Sequence, residues 1–136
     1  MRMPYESQTT LIPAQRHITQ FLEFLGASDV AFNVDAALAC SVRWRIHGEK
    51  DSLSMSALGY VNQWMRSRVW DRREPAVGQL GVDQERELAV INFWYCMRDE
   101  VLARAPVKIF NNARHFKSAE MQVHCLLQKL RRGDGV

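Results

Sequence analysis

The chain predicts an all-α protein, an irregular bundle of about six helices with a C-terminal helix-turn-helix-like pair. Two observations carry that expectation. Apolar residues recur at helical spacing along most of the 136 residues. Start and stop signals also bracket those runs, with Pro13, Asn33, Asp83 and Ser118 at the front and Gly26 and Gly48 at the back.

In chain order, residues 1–12 are polar and limited by Pro4 and Pro13, so they read as an N-terminal arm ahead of a single helical domain, 13–136. Pro13 suits a first helical turn; Ile18, Phe21, Leu22 and Leu25 then share one face, ended by Gly26. Asn33 caps a second helix through Val34, Leu38 and Val42, closed near Gly48, with a charged turn to Ser52. Leu58, Val61, Met65 and Val69 mark a third. Asp71 to Gly81, with Pro75 and Gly78, is the plausible linker. From Asp83 a long helix runs to about Ala103. It carries one apolar stripe of Leu88, Ile91, Tyr95 and Leu102 and another of Val90, Trp94, Met97 and Val101. So wide an apolar arc predicts a central position. Pro106 is expected to stop this helix and open a terminal pair.

Composition bounds the function. The 47% apolar and 24% charged fractions are those of a globular domain large enough to bury a core. Net charge is +3 but uneven: the first 35 residues hold two Arg against four acids, and the C-terminal part is basic. That asymmetry suggests a polyanionic partner. Cys40, Cys96 and Cys125 are scattered, each within a predicted helix, and read as reduced thiols. With no apolar stretch of membrane-spanning length and no signal-peptide core, a cytoplasmic protein is expected, without membrane association.

Residues 106–132 are the segment with a mechanism attached. Val107, Phe110, Ala113 and Phe116 follow helical spacing, Lys117-Ser118 breaks it, and Ser118 caps a second stretch carrying Val123, Leu126, Leu127 and Leu130. Between Arg104 and Arg132 there are seven Lys/Arg and one acid, Glu120. Two helices, a tight turn and a basic face describe a helix-turn-helix. An ordinary antiparallel helix pair has the same spacing. The glycine usual in the turn is replaced by Lys117, which predicts a looser turn.

The order of elements over roughly residues 38–132 resembles that of small phage transcription regulators, the Q-type antiterminator and RinA-like group. The matching pieces are Arg43-Trp44-Arg45, Trp64-Met65-Arg66, Arg72-Arg73-Glu74-Pro75, Asp83 to Leu88 and Asn112 to Leu130. The doubled Trp of that group is single here. The resemblance implies regulation through promoter-proximal DNA and RNA polymerase or another host protein complex.

On this reading the protein is a small non-enzymatic nucleic-acid-binding regulator of a phage or mobile element, reading duplex DNA through helix 118–131. Lys108, Arg114, Lys117, Lys129, Arg131 and Arg132 would meet phosphates. Glu120, Gln122 and His124 would face base edges, and Ser118 would cap the helix and could also reach a phosphate. Any one of these cations is more simply a solvated charge; the cluster carries the reading. A second basic and aromatic patch, Arg66, Arg68, Trp70, Arg72 and Arg73, suits nucleic acid or a protein interface. Trp64 and Trp94 read as core. The rival reading is a small helical interaction module, either a phage-type inhibitor of a host complex or a helical small subunit of a ribonucleoprotein. Acids and histidines show no catalytic or metal-ligand spacing, so neither an enzyme nor a cofactor or metal is expected.

Overall fold

The computed structural model describes residues 3–71 and 80–113. It is an α+β fold, which overturns the all-α expectation. Among the described residues, three helices and a π-helical turn accompany a three-stranded antiparallel sheet.

Helix α1 (Ile12–Phe24) forms where expected, burying Ala14, Ile18 and Leu22 at four-residue spacing. Gly26, at φ 99°, turns the chain out of it, and the Ala27 N–H donates to the Leu22 carbonyl at 2.9 Å.

The predicted second helix is instead strand β1 (Ser28–Val34), a tight loop and strand β2 (Ala39–Ile46). At the loop, the Asp35 carboxylate accepts from the N–H groups of Ala37 and Ala39, both at 2.9 Å. A local side-chain acceptor thereby replaces the helical backbone bonds that the Ala-rich run would otherwise make. Cys40, Val42, Trp44 and Ile46 are buried while Arg43 and Arg45 are exposed, a period of two that no helix supports. Cys40 is therefore a strand thiol rather than a helical one. His47 and Gly48, at φ 53° and 76°, turn β2 into β3 (Glu49–Ser56). Two residues at positive φ between Ile46 and its partner Glu49 make a tight hairpin whose twist matches the strands.

Helix α2 (Leu58–Met65) buries Val61, Trp64 and Met65. It loosens into a π-turn, Arg66–Trp70, closed by the Asp71 N–H on the Arg66 carbonyl at 2.9 Å.

Helix α3 (Val82–Ala113) is central, as its apolar breadth predicts, but it does not stop at Pro106. Ala89, Phe93, Met97, Val101, Ala105 and Ile109 form an unbroken buried row at four-residue spacing that passes the proline. An interior proline costs roughly 3 kcal/mol, and burying Ala105 and Ile109 against the core offsets it. The first helix of the expected helix-turn-helix is thus the last part of α3, and Val107, assigned to its apolar face, is 59% exposed.

One core joins the layers. Phe32 of β1 meets Trp94 of α3 edge to face at 5.6 Å, and both Trp64 and Trp94 are fully buried. The Trp64 indole N–H donates to buried Glu85 at 2.7 Å. The N-terminal arm is part of this body: Met3 is buried, and the arm's main chain is bonded by side chains of α2, the π-turn and α3.

Candidate nucleic-acid interface

Alternation along β2 decides which side chains face away from the core. With Val42, Trp44 and Ile46 turned in, Arg43 and Arg45 turn out. Register then sets their neighbours. Arg45 lies between Ser28 of β1 and Lys50 of β3, Arg43 between Ala31 and Ser52, and Ser41 between Asn33 and Ser54. The outer face of the sheet is therefore a lattice of small polar residues carrying three cations at one end. These line an open cleft of about 310 Å³ together with Asp29, Ala31, Trp44, Asp51 and Ser52.

Arg45 and Lys50 are direct cross-strand partners, an arrangement that repels and weakens a hairpin. Asp29 approaches Arg45 at 3.8 Å, but both side chains are largely exposed, so the pair contributes little. Among the described residues, no carboxylate lies within ion-pair distance of Arg43 or Lys50. The cleft thus sets three cations, Arg43, Arg45 and Lys50, against two carboxylates, Asp29 and Asp51.

The sequence-predicted contacts are distributed differently. Lys108 reaches toward the sheet and pairs with Asp51 of β3 at 3.4 Å, holding α3 to the strand. Arg66 is exposed. The Arg68 guanidinium stacks 4.1 Å over the Trp64 ring and donates to the Glu6 carbonyl at 3.2 Å, a structural task. Trp70 is 53% exposed. Arg72, Arg73, Arg114, Lys117, Ser118, Glu120, Gln122, His124, Lys129, Arg131 and Arg132 lie outside the described residues. The helix expected over 118–131 lies there too.

Other polar groupings serve the fold. Tyr5 donates to Asp99 at 2.5 Å, with Arg98 bonded to both; that hydrogen bond and burial raise the Tyr5 pKa and keep the phenol protonated. Burial pushes the Cys40 and Cys96 thiols up to about 11, away from nucleophilic use. Among the described residues, no group of His, Cys, Asp and Glu is arranged to hold a metal, and no helix is long and apolar enough to cross a membrane.

No protein-family model, curated protein or solved structure matches the chain. Sequence reasoning treated Arg43 and Arg45 as helical; the apolar–polar alternation from Cys40 to Ile46 was the signal that could have placed them on one strand face.

Proposed function

We propose that this protein is a non-enzymatic nucleic-acid-binding protein that contacts phosphates through the outer face of its sheet. The observation that supports this is the facing pair Arg45 and Lys50, with Arg43 beside them, placed together at a cost to the hairpin. A phosphate between two such cations turns their repulsion into shared attraction. Side chains of Ser41, Ser52, Ser54 and Asn33 add neutral donors on the same plane. The basic stretch from Arg114 to Arg132 supplies a second contact on this reading, and regulation of transcription is the role we assign to the pair.

Anisotropy of a labelled duplex across a salt series tests the proposal. Arg43→Ala, Arg45→Ala and Lys50→Ala should each weaken binding and lower the logarithmic salt slope by about one. Binding by the triple variant equal to that of the parent protein would overturn the sheet-face assignment, and no binding at low salt would overturn the function.

One observation favours a second reading. Trp70 is 53% exposed and follows exposed Arg66 on the π-turn, and Trp with Arg is a favoured anchor at protein interfaces. Trp70→Ala should then abolish capture of a protein partner while leaving the salt series unchanged.

A further inference from the structure

The two edges of the sheet are unlike. Edge strand β1 carries an irregular register between Ser28 and Ala31, with Asp29 at φ 54°, a device that turns an edge away from further pairing. Edge strand β3 has none of this. All eight of its residues are in unbroken register with β2, and it contains no proline. Its charges, Glu49, Lys50 and Asp51, lie at the hairpin end, while Ser52 to Ser56 is uncharged. Such an edge is a template for another strand.

Beside that edge runs a groove of about 350 Å³ between β3 and α3, lined by Leu53, Ala103 and Val107 with the polar side chains Arg104, Lys108 and Asn111. Val107 is 59% exposed, a large aliphatic side chain next to a strand that has no partner on this side among the described residues. A strand edge with a partly apolar groove beside it is the arrangement that accepts an added strand and its inward side chains.

We propose that β3 pairs antiparallel with β3 of a second copy about a two-fold axis at Leu53, making one six-stranded sheet. Charge distribution within the strand argues for this occupant. Pairing centred on Leu53 sets Ser52 opposite Ser54, Lys50 opposite Ser56 and Asp51 opposite Met55 of the second copy, so each charged half meets an uncharged half. No like charges face each other across the new ladder. Val107 of both copies, the exposed apolar side chain of the groove, packs beneath it. The interface is self-complementary, as a two-fold dimer requires, and small enough to give a weak dimer. Each copy also brings its Arg43, Arg45 and Lys50 to the same outer face.

Sedimentation of the full-length protein without nucleic acid tests the dimer independently of the function proposed above. A concentration-dependent dimer is expected. Val107→Lys, at an exposed position that leaves the fold intact, should weaken it about tenfold or more. Two double variants then test register. Ser52→Lys/Ser54→Lys and Ser52→Glu/Ser54→Glu should each be monomeric, because like charges face each other, and mixing them should restore a dimer. A monomer at every concentration overturns the proposal. So does a dimer that these variants leave unchanged, which would place the interface elsewhere.

Discussion

Asn92 of α3 offers the Gln8 main chain both hydrogen bonds that a neighbouring strand would. Its Oδ1 accepts from the Gln8 N–H and its Nδ2 donates to the Gln8 carbonyl, each at 3.0 Å. The same Nδ2 donates to the Leu88 carbonyl at 2.8 Å, so this fully buried amide is satisfied chiefly by the arm. Tyr60, Arg68 and Tyr95 complete the strap, donating to the carbonyls of Tyr5, Glu6 and Thr10. Asn92→Ala leaves these main-chain groups unpaired and should cost about 2 kcal/mol. Urea denaturation measures the loss, and limited proteolysis should now cut within residues 5–10; an arm as resistant as in the parent protein would contradict the strap.

Two buried tryptophans should respond differently to the same change. The Trp64 N–H is bonded to Glu85, whereas the Trp44 N–H has no acceptor among the described residues. Trp64→Phe strands a buried carboxylate and should cost about 3 kcal/mol. Trp44→Phe removes an unpaired donor along with ring volume, and should cost about 1 kcal/mol or less. Equal losses in chemical denaturation would refute the distinction.

The β2–β3 turn isolates a backbone effect. A Cβ at Gly48 would meet nothing within 4 Å, but φ there is +76°. Gly48→Ala should therefore cost about 1 kcal/mol through conformation alone, read as a lowered melting temperature with unchanged folded-state spectra.

Lys50→Ser should separate stability from binding. Removing the like charge opposite Arg45 should leave the protein at least as stable, by a gain of about 0.3 kcal/mol, while the salt slope of duplex binding falls by about one. Loss of both together would mean that Lys50 supports the fold instead.

Alkaline pH should weaken the fold through its thiols. Cys40 and Cys96 move from 9.0 to about 11, chiefly through burial. Between those values the unfolded chain releases protons that the folded one retains, so stability is fully present below pH 9 and is lost as pH rises toward about 11. Urea midpoints on either side of pH 9 should show the decline, and Cys40→Ala should lessen it, leaving the share that belongs to Cys96.

Much of the helical layer was legible in the sequence. Pro13, Ile18, Leu22 and Gly26 mark α1, the Leu58 to Val69 spacing marks α2 and the π-turn, and Trp64 and Trp94 are core as read. The sheet was missed because Val34, Leu38 and Val42 lie four apart, a spacing that a helix and one face of a strand both satisfy. Cys40, Val42, Trp44 and Ile46, at steps of two, decide for the strand. The apolar row through Met97, Val101, Ala105 and Ile109 likewise continues past Pro106 and outweighs the local stop signal.

Local pattern by itself determined which residues are apolar, where α1 and α2 form, and which cations could share a face. Only tertiary structure decided that Lys108 is held by Asp51 and that the arm is bound by Asn92. Those outcomes arise from contacts between segments distant in the chain, whose energies no local window contains.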